Sequence, residues 1–498
     1  MRSQKAIRNF IVSIILQLVT AISGLVIPRL FISFYGSEVN GLVSSLNQFL
    51  SYITFLEAGL SGVIMSQLYK PIAEKNEREI NENLANARNF FYKMAIIYIA
   101  YVVILGLIYP KVISNSFTSK YVFLLTIILS INLLFQYLFG IVNNVLLQAE
   151  QKGYIVSILQ IIVVILNAIV VIWGINNELS IHLLKLLTVS VATISPLGLY
   201  FYVRKNYSID TKMRGNSKYI KQRWDGIFHH ISYFIQNNVD IMILTFLDLK
   251  LVSVYAVYNM ITTTIRKLFE SFITSFRSAL GDMIAREEIN NTKRIFSLLE
   301  FLIVTIASIV FVSLMFSILP FIKLYTKGIN DINYLIPGFA ILIILSEMFY
   351  IIRIPYHTLI IAAGHFKETK NSALLEAALN LIISIFMVAK FGIIGVALGT
   401  CISCLYRTIY YIMYLRKNIL QLSLKKVFKR IVVNVCSIIL CIIIFKNMHL
   451  TAQNYLVWFI NGLIYVSISS FIILSINFTV FREDRIIFIN KFKQAAQF

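Results

Sequence analysis

The chain has 498 residues, 58% of them hydrophobic and 14% charged, with a formal net charge of +22 and a mean hydropathy of +0.78. Apolar stretches of about 20 residues, enough for a helix to cross a bilayer, recur along nearly all of it. The polar segments between them are too short to bury a core, which excludes a soluble domain. The basic residues are scattered over many short loops, which argues against nucleic-acid binding.

Met1 to Asn9 is basic and leads into a long apolar run with no small-residue cleavage site, so this is a first span and not a signal peptide. The pattern predicts an all-α polytopic membrane protein with fourteen spans, near 9–34, 41–68, 90–109, 121–147, 154–174, 181–203, 227–247, 252–283, 296–319, 334–361, 372–389, 393–415, 431–446 and 455–480. With the N-terminus inside, the inner loops carry 31 Lys and Arg and the outer loops 7. Inner loops should hold the excess, and both termini are therefore expected in the cytoplasm. External labelling of a cysteine placed at Ser217 would contradict that orientation. The implied organisation is a six-helix lobe over 1–203, a basic linker over 204–226, a second six-helix lobe over 227–415, and a segment 416–498 with an amphipathic loop, spans 13 and 14 and a basic tail.

The two lobes read as a repeat at a shift of 213 residues. Glu57 meets Glu270, Tyr137 meets Tyr350, and Leu166-Asn167 meets Leu379-Asn380. Intramembrane carboxylates and amides are scarce, so these matches outweigh the many apolar ones. Six spans per repeat preserve orientation, which predicts a pseudo-two-fold axis along the membrane normal.

Six bases fall inside apolar spans: Arg29, Arg266, Lys267, Arg277, Arg353 and Arg407. Each would cost about 2.5–3.5 kcal/mol at the centre of an isolated membrane helix. On span 8, Arg266, Glu270 and Arg277 share one face, and Lys267 lies one position round from it. On span 7, His229, Tyr233, Gln236 and Asp240 form a second polar stripe. The pattern points to a wet chamber with an anion-binding wall, in which Glu57, Asp240 and Glu270 tune the field or couple it to ions. The competing reading is a set of structural ion pairs, such as Arg266 with Glu270 or Arg407 with Glu376.

Other chemistry is not apparent. There is no Gly-Lys dipeptide and hence no phosphate-binding P-loop. Cys401-x-x-Cys404 lies mid-helix without a second ligand pair and reads as packing, not as a metal site. Gly395-x-x-x-Gly399 reads as a close helix contact. No outer loop is long enough to house an enzyme's chemistry.

The segment Phe34-Tyr-Gly-Ser-Glu-Val-Asn-Gly41, followed by Phe55-Leu-Glu-Ala-Gly-Leu60, resembles the opening of Wzx-type polysaccharide repeat-unit flippases. Gln148-Ala-Glu-Gln-Lys-Gly153 and Ala362-Ala-Gly-His-Phe-Lys367 are similar to that family's short cytoplasmic turns. The resemblance covers essentially the whole chain and carries only Glu57 as a motif residue. It implies membership of the multidrug/oligosaccharidyl-lipid/polysaccharide exporter superfamily, with two six-helix lobes around a central cavity. It further implies a non-enzymatic flippase that moves an undecaprenyl-diphosphate-linked glycan between leaflets of a bacterial cytoplasmic membrane by alternating access. Arginine forks suit a diphosphate, so the six bases are the expected substrate contacts. Spans 13 and 14 would supply a groove for the polyprenyl tail. The implied partners are that glycan, membrane lipids, and a polymerase with other polysaccharide-assembly proteins. No cofactor or metal is called for, and coupling to a proton or sodium gradient is allowed. An ion-coupled multidrug exporter of the same superfamily, a membrane-embedded polymerase or ligase, and an assembly scaffold are the alternatives.

Overall fold

Helix starts repeat at the interval expected from the sequence. A computed structural model describes residues 2–57, 60–113, 117–208, 227–448 and 450–495. Most of the linker 204–226 thus lies outside the described residues. The first half of the chain forms α1 (Arg2–Ser51), α2 (Leu60–Glu74), α3 (Glu77–Ile108), α4 (Ser119–Phe135), α5 (Ile141–Ala149), α6 (Gly153–Asn176), α7 (Ile181–Ala192) and α8 (Ile194–Asn206). The second forms α9 (Ile227–Leu247), α10 (Leu249–Ala285), α11 (Ile289–Tyr325), α12 (Pro337–Ala362), α13 (Phe366–Phe391) and α14 (Ile393–Asn418). Then come α15 (Leu424–Lys446), α16 (Tyr455–Val480) and α17 (Arg482–Ala495). Shifted by 213, the starts of α3, α6 and α7 fall on 290, 366 and 394, and α11, α13 and α14 begin at Ile289, Phe366 and Ile393.

This is an all-helical, multi-pass membrane protein. Among the described residues, eleven helices are long and apolar enough to cross a membrane. α10 is also long enough, but Arg266, Lys267, Glu270 and Arg277 interrupt its apolar course. Large side chains such as Phe386 and Phe471, 73% and 77% exposed, are at home only against lipid. Within the spans, hydroxyls are satisfied locally: Ser308, Ser313 and Ser317 of α11 each donate to the carbonyl four residues back, at 2.8–2.9 Å. Polar caps set the helix starts. Asn76 accepts from the Glu79 amide at 3.2 Å, and Asn454 from the Val457 amide at 2.8 Å.

The chain divides into two compact units, Met1–Ile231 with Leu244–Ser253, and Ser232–Ile243 with Val254–Phe498. The first unit packs around Leu42, Leu46, Leu68, Phe91 and Leu125. The second has one core around Phe296, Tyr356 and Leu415 and another around Val312, Cys441, Phe445 and Ile473. The latter seats α15 and α16 on α11, where Ser313 and Ser469 hydrogen-bond at 2.9 Å and the Trp458 indole donates to the Ser317 carbonyl at 2.9 Å.

The first two predicted spans meet at a kink, and the second and fourth are interrupted inside. The break expected between the first two at 35–40 is there, but it is tight: two helices meet within α1 at Gly36, whose backbone is non-helical (φ 83°, ψ 169°). That backbone conformation is open essentially to glycine alone. The second span is broken by a 3-10 turn, Tyr52–Glu57, which carries Glu57 at its end. The fourth contains a π turn, Gln136–Gly140. Helical periodicity conceals these two interior breaks because the predicted spans run through them.

Gly41, the second glycine of the Gly36–Gly41 motif, has a different task. A Cβ there would lie 1.7 Å from the Leu249 carbonyl oxygen. Overpacking usually costs about 1–3 kcal/mol, and a backbone obstacle cannot rotate away. Gly41→Ala is therefore expected to destabilise the protein by about 3 kcal/mol, read as a lowered melting temperature in detergent. An unchanged melting temperature would contradict the contact. Gly395 and Gly399 likewise allow close packing of α13 on α14, with added Cβ atoms 2.3 Å from the Met387 carbonyl oxygen and 2.1 Å from Ser384 Oγ. Cys401 and Cys404 are buried free thiols, and the described residues hold no group of three or more potential metal ligands.

Candidate functional site

The two repeat-related carboxylates make the same bond. Tyr137 donates to Glu57 Oε1 at 2.7 Å, and Tyr350 donates to Glu270 Oε1 at 3.0 Å. Both partners sit 80 residues apart, and both pairs are related by the 213-residue shift. The matched pairs are two copies of one structural element, each inside its own unit.

In the second unit this element is built into a ladder of charge. Arg266 and Arg353 both lie over the Tyr350 ring, 5.0 and 4.5 Å from its centroid. Arg266 faces Glu347 at 3.5 Å. Arg353 and Arg407 both donate to Glu376, which is fully buried. Helices α10, α12, α13 and α14 each contribute, since a cation in lipid is tolerable only where neighbouring helices supply its counter-charge.

The six predicted cations therefore separate into groups. Arg353 and Arg407 are each 6% exposed and share one carboxylate; they are not open to a ligand in this structure, contrary to the expectation of a wet wall. Arg407 also stacks over Tyr411, 4.8 Å from the ring centroid. Arg266 meets Glu347 on α12, a partner not foreseen, and Tyr350 engages Glu270 on the same helix as Arg266. The Arg266 side chain is 18% exposed, against 7% for those of Arg353 and Arg407. Lys267 and Arg277 are exposed, and among the described residues neither has a carboxylate within ion-pair distance. Arg29 is half-buried beside Pro28 within α1 of the first unit.

Asp240 anchors a second polar focus. It is 3% exposed and accepts from Tyr255 at 3.1 Å and from Thr400, whose hydroxyl is 2.9 Å from both carboxylate oxygens. Asn380 reaches the Thr400 hydroxyl at 3.3 Å, and Ser384 lies 3.3 Å from the Val396 carbonyl. Four helices converge here on a knot of polar groups with one formal charge. The side chains of His229, Tyr233 and Gln236, expected to share the Asp240 face, lie outside the described residues. The two foci adjoin through sequence: Asn380 is one turn from Glu376 on α13, and Thr400 is two turns from Arg407 on α14.

A third network was not anticipated. Glu300 on α11, 1% exposed, accepts from Arg416 at 2.7 and 2.8 Å and also from Arg430 and Tyr356. Arg430 continues to Asp484 on α17 at 2.6 Å and to Ser297 at 2.9 Å. Loop-charge counting treats Arg416 and Arg430 as solvated inner bases, yet they are 3% and 1% exposed. Tyr350, Thr400 and Tyr255 were also missed as site residues. The one signal for Tyr350 was its match to Tyr137 in the repeat.

No family model matches the chain, and no curated protein matches it in sequence. Solved structures do. A lipid II flippase, MurJ, in an inward closed conformation superposes with a TM-score of 0.71 over 96% of this chain and 99% of its own, at 17% identity. The fold is that of the MurJ flippase. An inward-facing multidrug resistance MATE transporter of the MOP superfamily gives a TM-score of 0.66 over 81% of this chain and 97% of its own, at 13% identity. The MATE multidrug transporter DinF-BH gives 0.58 over 83% and 95%, at 17% identity. The fold is therefore one shared by flippases and multidrug exporters, and the MurJ superposition takes in more of the chain.

Proposed function

We propose that the protein is a flippase that carries an undecaprenyl-diphosphate-linked oligosaccharide between the leaflets of the cytoplasmic membrane, in the service of surface polysaccharide synthesis. The observation that carries this reading is the unequal state of the cations in the second unit. Arg353 and Arg407 are clamped by Glu376 and act as scaffold. Arg266, Lys267 and Arg277 on α10 are exposed in part or whole, and Arg266 lies beside Glu347 at 3.5 Å with its side chain 18% exposed. An arginine in that state can exchange a carboxylate for phosphate oxygens, with both donors of its fork engaged.

Asp240 is the proposed coupling group. A buried carboxylate held by the Tyr255 and Thr400 hydroxyls suits a proton or a hard cation. A sodium ion would be held by Asp240 with the hydroxyl oxygens of Thr400 and Tyr255, and would supply the positive charge that a buried carboxylate otherwise lacks. Multidrug export is the second reading, favoured by the superposed transporters. It leaves without a partner the part of the chain that MurJ matches and these exporters do not.

Replacing Arg266 and Lys267 together by alanine is expected to abolish surface glycan at normal protein abundance. Arg266→Lys should restore part of the activity, because a lysine keeps the charge but loses the bidentate fork. Undiminished glycan in a normally abundant double variant would contradict the assignment.

A further inference from the structure

Where α15, α16 and α17 meet, a cleft of about 450 Å³ is lined by Lys425, Lys426, Lys429, Phe481, Arg482 and Asp484, among others. Its floor is electrostatically balanced. Asp484, 1% exposed, accepts from Arg430 at 2.6 Å, from Ser297 at 3.0 Å and from Lys426 at 3.3 Å, and Lys426 is also 3.9 Å from Glu483. Its rim is not balanced. Lys425, Lys429 and Arg482 are exposed, and among the described residues none of them has a carboxylate within ion-pair distance. Lys429 instead leans over the Phe481 ring, 5.6 Å from its centroid. The Ser423 side chain caps α15 at the Lys425 amide, 3.2 Å away, so the positive end of that helix adds to the field.

The surroundings decide what kind of anion fits. Leu424 and Phe428 on α15 are 49% and 69% exposed, and Ile486 on α17 is 53% exposed. Basic rim residues interleaved with bare apolar ones, at the end of two membrane-spanning helices, mark the level where acyl chains give way to headgroups. A small soluble anion would leave those apolar side chains in water. We propose that the cleft binds the phosphate of an anionic membrane phospholipid, whose acyl chains lie along the exposed apolar face of α15. The lipid would bridge α15 and α17 and complete a junction that the Arg430–Asp484 pair begins.

The test uses the purified full-length protein in detergent, titrated with short-chain phosphatidylglycerol, with phosphatidylcholine of equal chain length, with farnesyl diphosphate and with inorganic phosphate. Binding is read by native mass spectrometry and by the shift in melting temperature. Phosphatidylglycerol is expected to bind saturably and to be preferred over the other three. Neutralising Lys425→Gln, Lys429→Gln and Arg482→Gln should weaken it by roughly fivefold for each charge removed. Lys425→Arg with Lys429→Arg should retain it. The wild-type selectivity stands as a test even if the neutral variant fails to fold. Equal binding of phosphatidylcholine, or of phosphatidylglycerol by a folded triple variant, would overturn the site. Inorganic phosphate binding as well as the lipid, or farnesyl diphosphate binding better, would overturn the phospholipid as its occupant.

Discussion

Replacing Glu376 by alanine is expected to remove about 3–5 kcal/mol of stability, the usual consequence of deleting one member of a buried ion pair. Here the loss strands two charges, because Arg353 and Arg407 both depend on this fully buried carboxylate. Natural proteins hold a margin of roughly 5–15 kcal/mol, so the variant should be scarce in the membrane and melt early in detergent. Neutralising the whole triad, with Arg353→Met, Glu376→Leu and Arg407→Met, should recover most of that loss, since nothing charged then remains unpaired. Abundance and melting temperature of the two proteins measure this. A Glu376→Ala protein as stable as the parent would mean that the two arginines find other partners and that the ladder is not a scaffold.

Asp240→Asn should behave in the opposite way, with a normal amount of protein and little transport. Asparagine keeps an oxygen to accept from Thr400 and Tyr255, so the packing of α9, α10 and α14 should survive. It cannot take up a proton or offer a full charge to a cation. Coupling energies of about 1–3 kcal/mol correspond to a fall in transport of roughly 5- to 150-fold. The effect should appear with either a sodium or a proton gradient as the driving force, whichever the wild type uses. Wild-type transport by the asparagine variant would place the coupling elsewhere. A loss of transport matched by a loss of abundance would make Asp240 a structural group.

Much of the architecture was legible because it follows from long apolar runs and from one constant offset. The tyrosine–carboxylate pairs Tyr137–Glu57 and Tyr350–Glu270 recur at that offset because the repeated helices place the same side chains together. Pairing within the second unit was less legible. Periodicity tells which residues share a helix face, as with Arg266 and Glu270, but not what the neighbouring helix brings to it. Glu347 lies 81 positions from Arg266, and only the fold sets them 3.5 Å apart. The same limit hid Arg430, which counts as a loop base by position and lies buried against Glu300 and Asp484. Gly36 was legible as part of the break between two spans, but the tightness of the kink, one non-helical residue with helix on both sides, was not.

The central claim is that this chain moves a lipid-linked diphosphate glycan, and translocation in reconstituted vesicles tests it most directly. Proteoliposomes containing the purified full-length protein would be loaded with a fluorescent polyprenyl-diphosphate oligosaccharide. Its exposure would be followed by a membrane-impermeant quencher, with sodium or proton gradients imposed in turn. The account predicts gradient-stimulated translocation by the wild-type protein and none by the Arg266→Ala/Lys267→Ala protein reconstituted in equal amount. No acceleration over protein-free vesicles under either gradient, in a preparation that transports a cationic dye, would contradict it and support the multidrug-exporter reading.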